Sequence, residues 1–266
     1  MSIDSAELEA NGPSDKPAIS ADGRYVAFYS WSTNLVAGDT NGAIDIFIRD
    51  TQTGDTTRVS TDGAGLEGNG DSVVPVLSAD GRYVAFKSAA SNLVPGDLNS
   101  KQDIFLKDTQ TGVITRVSTD TAGNEASDHS LDPALSADGR YVAFYSYASN
   151  LVTGDTNGQR DIFVKDRLTG VTTRVNTDSG GLEGNSYGTL PGISADGRYV
   201  TFISLATNLV AGDTNVALDV FRAENPEFSP DTDGDGLRDD VEATLGTDIN
   251  LVDSDADGIS DYDEVN

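Results

Sequence analysis

The 266-residue chain has no cysteine, one histidine, one methionine and one tryptophan, and its 17 Lys and Arg face 44 Asp and Glu. Without cysteine, neither disulfides nor thiolate chemistry enters, and the absence leaves the redox compartment open. The formal net charge of −27 at pH 7 excludes nucleic acid and anionic membrane as default partners, because attraction to phosphate needs a basic surface. Cations are the natural counterpart. No apolar run approaches a membrane span, and the start Met1-Ser2-Ile3-Asp4-Ser5 lacks a basic-then-apolar leader. Ser or Cys hydrolysis normally needs a base beside the nucleophile, and the single His129 sits in one connection only. No Gly-rich loop follows a strand and opens a helix to cradle phosphate. The chain reads as non-catalytic, with a carboxylate-based glycosidase as the enzymatic rival because Asp is abundant.

What the chain does have is repetition. Pro-x-x-Ser-Ala-Asp-Gly-Arg-Tyr-Val-x-Phe begins at Pro17, Pro75, Pro133 and Pro191, a constant interval of 58 residues. A fixed period means one supersecondary unit copied four times. In the first copy, Pro17 to Ser20 and Tyr25 to Tyr29 flank Asp22-Gly23, a tight-turn signal, and predict a hairpin. A long polar stretch then leads to Asp45-Ile46-Phe47-Ile48, and Thr53-Gly54 turns the chain into Thr57-Arg58-Val59-Ser60, a second hairpin. Four short strands per repeat suit a propeller blade, whose twisted sheet buries both faces against its neighbours. Two stacked sandwiches are the alternative.

The same residues resemble a known family. Pro-x-x-Ser-x-Asp-Gly-Arg-Tyr-x-Ala-Phe, followed by Asp-Ile-Phe-x-x-Asp-x-x-Thr-Gly and a closing Thr-Arg-Val, is similar to the blade repeat of TolB-type β-propellers over nearly all of residues 1–222. The resemblance implies a propeller, usually with a binding or scaffolding role, and no particular reaction. The repeat departs from the usual blade of forty-odd residues, and four copies is a low number. A closed four-bladed ring is expected, with assembly of blades from several chains as the rival.

The Asp-Gly and Thr-Gly turns fall at one end of each blade, so the long connections share the other end. There Trp31, Ala89, Tyr147 and Leu205 are equivalent positions. Trp31 and Tyr147 are candidate ligand-binding residues for a sugar or partner surface, against the plainer reading of blade-to-blade packing. On the same face Asp39/Asn41/Asp45, Asp97/Asn99/Asp103, Asp155/Asn157/Asp161 and Asp213/Asn215/Asp219 repeat the spacing Asp-x-Asn-x-x-x-Asp. Each set is a candidate Ca²⁺ site, with turn capping by Asp and Asn as the alternative.

The strongest chemical signal follows the repeats. Asp231, Asp233, Asp235, Leu237, Asp239 and Glu242, with Gly236 at the turn, have EF-hand loop spacing. Hard Ca²⁺ takes six to eight oxygens, and this spacing wraps carboxylates and the Leu237 carbonyl about one point. A second run, Asp253, Asp255, Asp257, Ile259, Asp261 and Glu264, follows 22 residues later. Such acidic density repels itself without metal, so the metal-free tail is expected to be disordered. The two runs, joined by Leu245-Gly246-Thr247-Asp248, resemble thrombospondin type 3-like calcium repeats of secreted bacterial proteins. The resemblance implies stiff, calcium-dependent connectors near the cell surface. Residues 239–245 are expected to form one short helix between the loops.

Ser2 aligns with Ser60, so the chain enters the repeat just past a fourth strand, while the fourth copy gives way to Ala223-Glu224-Asn225-Pro226 before supplying one. An unpaired strand edge is therefore expected in blade four, filled by another chain, by residues 1–16 or by the tail. The expectation as a whole is an all-β protein: a four-bladed β-propeller at residues 1–222, a Pro-containing linker at 223–230 and a small calcium-binding tail at 231–266. Its expected cofactor is Ca²⁺, its expected location extracellular or at the cell surface, and its expected partners other copies of itself in a head-to-tail fibre or matrix. The alternative is a monomeric propeller that binds a glycan or peptide.

Overall fold

The computed structural model describes residues 2–265; Met1 and Asn266, the outer ends of the expected domains, lie outside them. The chain divides within the expected linker, into Met1–Pro226 and Glu227–Asn266. Blade one consists of β1 (Ser14–Ile19), β2 (Tyr25–Ser30), β3 (Asp45–Asp50) and β4 (Thr56–Arg58). Blade two is β5 (Ser72–Leu77), β6 (Tyr83–Ser88), β7 (Asp103–Asp108) and β8 (Ile114–Arg116), and blade three is β9 (Ser130–Leu135), β10 (Tyr141–Ser146), β11 (Asp161–Asp166) and β12 (Thr172–Arg174). Blade four has β13 (Gly188–Ile193), β14 (Tyr199–Ser204) and β15 (Asp219–Glu224). Every sheet is an antiparallel meander in chain order, four-stranded in the first three blades and three-stranded in the fourth. β15 runs two residues past the expected end at 222 because Tyr199 pairs with Glu224 and Arg198 Nε lies 3.0 Å from Glu224 Oε1.

The first hairpin turn is built by its own side chains. Ser20 Oγ donates to Asp22 Oδ1 and accepts from Tyr25 N–H, Asp22 Oδ1 accepts from Arg24 N–H, and Gly23 takes φ +75°. The arginine of that turn then reaches the end of the third strand: Arg24, Arg82 and Arg140 pair with Asp50, Asp108 and Asp166 at 2.6–2.8 Å. The inner strands each carry a bulge, with Lys16, Val74, Asp132 and Leu190 at φ 50–57° immediately before the repeated prolines.

Alternation along the strands supplies two apolar faces per blade. Ala27, Ile46, Ile48 and Val59 of blade one pack with Val84, Phe86, Leu93 and Phe105 of blade two. The equivalent residues one period on join blades two and three, and again three and four. Two devices set the spacing. Ala21, Ala79 and Ala137 each donate their N–H to the alanine carbonyl one period later, at 2.8 Å. Gly81, Gly139 and Gly197 lie against the rings of Tyr25, Tyr83 and Tyr141 so closely that a Cβ would overlap the ring.

The expected closed ring is not formed. Inner strands pack as β1 on β5, β5 on β9 and β9 on β13, and among the described residues no comparable strand packing joins blade four to blade one. Ile19 at the start and Val220 at the end stay 64% and 76% exposed. The same glycine, tyrosine and alanine contacts recur at each of the three blade interfaces. Residues 2–12 lie on blade one, as the linker after blade one lies on blade two. Ile3 bridges Glu9 as Thr61 bridges Glu67, and Thr56 Oγ1 donates to Ile3 O at 2.7 Å.

In the second unit, α1 (Asp239–Leu245) has the expected bounds and ends at Gly246, φ 89°, whose N–H reaches Glu242 O. α2 (Asp261–Val265) follows the second acidic loop. Tyr262 N–H donates to Asp235 Oδ2 at 3.1 Å, and a Cβ on Gly236 would stand 3.0 Å from the Tyr262 ring, so the two loops support each other. No helix among the described residues is long and apolar enough to cross a membrane.

Candidate functional site

The C-terminal unit gathers carboxylates around two points. Asp231, Asp233 and Asp235 bring one oxygen each within 4.8 Å of one another, and Asp253, Asp255 and Asp257 do the same. The loops are folded by backbone donors: Gly234 and Gly236 N–H to Asp231, Leu237 N–H to Asp235, Gly258 N–H to Asp253 and Ile259 N–H to Asp257. Leu237 is buried, whereas Ile259 is half exposed.

Glu242 completes the first group. It lies on α1, fully buried, and neither carboxylate oxygen has a hydrogen-bond partner among the described residues. Asp233 Oδ2 is likewise buried and unpartnered. Burial pushes the Glu242 carboxyl up to about 7, and the charges of Asp233, Asp235, Asp239 and Asp231 add to the shift. Orphaned oxygens at the focus of an acidic loop fit a divalent cation, since an all-oxygen donor set suits Ca²⁺ and no donor among the described residues satisfies them. In the second loop Glu264 is raised first by Asp255, then by burial and the other aspartates.

Two expected ligands also bind their own loops. Asp239 accepts from Thr232 N–H and Oγ1 at 2.8 and 2.7 Å, and Asp261 accepts from Ser254 N–H and Oγ at 2.9 and 2.6 Å. These carboxylates close the start of each loop onto the following helix, so both of their oxygens are engaged in holding the loop.

The long-loop face is where the turn geometry requires it, but its acidic sets already contain a cation. Arg58 Nη1 lies 3.3 Å from Asp39, 3.3 Å from Asp45 and 2.9 Å from Glu67. Arg116 meets Asp97, Asp103 and Glu125 at 3.3, 4.0 and 2.9 Å, and Arg174 meets Asp155, Asp161 and Glu183 at 3.6, 3.2 and 2.9 Å. The expected asparagine ligands point their amides at the carboxylates instead: Asn41, Asn99 and Asn157 donate to Asp45, Asp103 and Asp161, while their oxygens accept from the turn backbone. In blades one to three a guanidinium therefore stands among the carboxylates assigned to calcium, and in blade three Asp155, Asp161 and Glu183 also bring one oxygen each within 4.8 Å of one another. Asp97 and Asp155 are raised to about 6 by burial first and by Asp103 or Asp161 second, with the arginines pulling the other way.

Blade four keeps Asp213, Asn215 and Asp219 but has Thr232 and Val241 where the arginine and glutamate would align. Asp213 Oδ1 is buried with no partner among the described residues. Neither the arginines nor Glu67, Glu125 and Glu183 were expected as site residues, although the recurring Thr-Arg-Val with a glutamate nine residues after each arginine was the available signal.

Trp31 and Tyr147 are each 46% exposed and lie edge-on to a ring of their own blade, Tyr29 at 5.3 Å and Tyr145 at 6.2 Å. Blade two, with Lys87 and Ala89, stands between them, so they do not form one platform. Arg160 stacks over Tyr145, Tyr147 and Tyr187, with Cζ 4.4–5.9 Å from the ring centres. His129 Nδ1 accepts from Gln102 N–H at 2.9 Å, the task Asp71 performs for Ile44 in the preceding repeat. It is a structural histidine.

Residues 231–248 and 253–266 match the bacterial TSP3 repeat family. No curated protein matches the chain. Among solved structures, the chain is similar to TolB from Acinetobacter baumannii (19% identity, 82% of this chain and 44% of that one, TM-score 0.46). It is also similar to a putative TolB from Agrobacterium tumefaciens (19%, 80% and 58%, TM-score 0.45). The propeller domain of the Trilobed protease from Pyrococcus furiosus, described as having an open velcro topology, is a third (12%, 80% and 55%, TM-score 0.46). The chain thus spans less than two thirds of each of these structures. Together the four sheets and the acidic loops make this chain a β-propeller of four blades, similar to those of TolB, followed by a tandem bacterial TSP3 repeat.

Proposed function

We propose that the chain is a non-enzymatic, calcium-binding propeller of an extracellular surface or matrix, which associates with further copies of itself through the unpaired edge of blade four. The observation that carries the calcium reading is Glu242, whose two buried, unpartnered oxygens face Asp231, Asp233 and Asp235. Weak oxygen sites of this kind fill at roughly 10⁻⁴ to 10⁻³ M calcium, which supports an extracellular setting. The involvement of His129 in the fold and the lack of cysteine support a non-catalytic role. The association reading is supported by β15, which has β14 as its one strand partner among the described residues.

The test is light-scattering mass in calcium and after chelation. A polydisperse species that shrinks on chelation supports calcium-dependent association, and a single mass near 27.9 kDa in both conditions sinks it. The half-exposed Trp31 and Tyr147 favour a second reading, a monomeric propeller that retains a glycan or peptide. Screening against glycans, with loss of retention in a Trp31→Ala, Tyr147→Ala double variant, distinguishes the two.

A further inference from the structure

Three blades of this chain show what an outer strand must carry to complete a blade here. In blade one, β4 pairs with β3 so that Arg58 lies opposite Phe47, Thr57 opposite Ile48 and Thr56 opposite Arg49. That register puts the Arg58 guanidinium between Asp39, Asp45 and Glu67 and lets Ser60 Oγ donate to Asp45 Oδ1 at 2.5 Å. Blade two repeats the arrangement with Arg116 and Ser118, and blade three with Arg174 and Asn176, whose amide reaches Asp161 Oδ1 at 2.5 Å. The outer strand therefore delivers a cation and a hydrogen-bond donor, two residues apart, to a pair of aspartates on the sheet it joins.

Blade four presents the receiving half without the delivered half. Asp213 and Asp219 stand at the equivalent positions, Asp213 Oδ1 is buried without a partner among the described residues, and Asp219 Oδ1 accepts from the Asn215 amide at 3.3 Å. A cleft of about 460 Å³ lies beside the edge, lined by Asp213, Asn215, Asp219, Val220, Phe221 and Arg222. β15 alternates between half-buried and exposed, whereas β3, β7 and β11 are buried almost throughout.

Resting on the reading of β15 as an association edge, we propose that this edge selects an extended segment of another chain that carries arginine in the pattern Thr-Arg-x-Ser/Asn. The arginine lies opposite Phe221 and the threonine before it opposite Arg222. Its guanidinium enters between Asp213 and Asp219, and the Ser or Asn two residues on donates to Asp219. Backbone pairing supplies attachment, and the carboxylate pair supplies selectivity for arginine, because an uncompensated carboxylate pair at the edge is relieved by a planar, multiply donating cation.

The probe is a fluorescently labelled peptide of residues 54–61 of this chain, Gly-Asp-Thr-Thr-Arg-Val-Ser-Thr, titrated with the full chain in calcium and followed by anisotropy. Saturable binding is expected, weakened at least tenfold in the peptide with Arg58→Ala and to a similar extent in the Asp213→Asn, Asp219→Asn protein. Equal binding of the two peptides overturns the arginine selectivity while leaving β15 as an association edge. Binding of neither peptide overturns the selectivity and counts against the edge as well. Binding that appears only after chelation assigns the aspartate pair to the ion and likewise overturns the proposal. The peptide arm leaves the protein unaltered, so its outcome does not depend on the fold tolerating the double substitution.

Discussion

Gly139 rests on the Tyr83 ring of the preceding blade so closely that a side chain there would overlap Tyr83 Cδ2, whereas Gly23, at the same place in blade one, has nothing within 4 Å. Both take positive φ, +72° and +75°, so alanine at either incurs a left-handed penalty of about 1–2 kcal/mol. Gly139→Ala adds overpacking of about 1–3 kcal/mol, because the obstacle is a ring held between blades. Denaturant melts of the two variants should separate by that margin. Equal losses would show that the blade interface yields at no cost.

Arg116 holds three carboxylates together from a nearly buried position. Arg116→Ala is expected to destabilise the propeller by about 3–5 kcal/mol, since it leaves uncompensated buried charge. Adding Asp97→Asn should recover part of the loss. Thermal unfolding of the single and double variants checks this, and additive losses would dissociate Asp97 from Arg116.

Glu242→Gln should act in opposite directions with and without calcium. The substitution removes a buried charge repelled by four aspartates, so the metal-free tail becomes more ordered by circular dichroism. It also removes a charged ligand, so calcium affinity measured by calorimetry falls by at least tenfold. Asp239→Ala, by contrast, should loosen the loop through Thr232 and lower affinity indirectly.

The acid limb of stability should depend on the arginine pairs of the hairpin turns. Bonding to Arg24 holds the Asp50 carboxyl down at about 2; Asp108, which burial pushes up, is brought to about 2 by Arg82 and by backbone donors. Both folded values lie below the ordinary 3.8, so this contribution is present above about pH 4 and lost as pH falls through 2. Arg24→Ala with Arg82→Ala should move the acid-unfolding midpoint upward.

Asp97 and Asp155 have the opposite sign. Raised to about 6, they carry an ionisation penalty that is full above pH 6 and disappears as pH falls toward 4. Chemical denaturation in chelator should show greater stability at pH 5 than at pH 7.5, and Asp97→Asn with Asp155→Asn should flatten that slope.

Much of this was legible because it is local. The Ser-Ala-Asp-Gly-Arg turn contains its own hydrogen-bond partners, and the period of 58 residues fixes where each strand recurs. The helix at 239–245 and the acidic loops also followed from spacing within a dozen residues. The arginine sites were not legible from the Asp-x-Asn-x-x-x-Asp spacing, because Arg58 reaches Asp39 across nineteen positions and Glu67 across nine, through strand pairing. Nor did spacing show that Asp239 and Asp261 accept hydrogen bonds from Thr232 and Ser254 at the start of their loops.

The amino-acid sequence by itself determined the blade, its turns, the missing outer strand of blade four and the acidic loops, since each is set by residues near one another along the chain. Tertiary structure alone decided that the four blades do not close, because closure depends on the angle between packed faces repeated three times. It also decided which carboxylates meet an arginine and which, as at Asp213 Oδ1, are buried without a partner among the described residues.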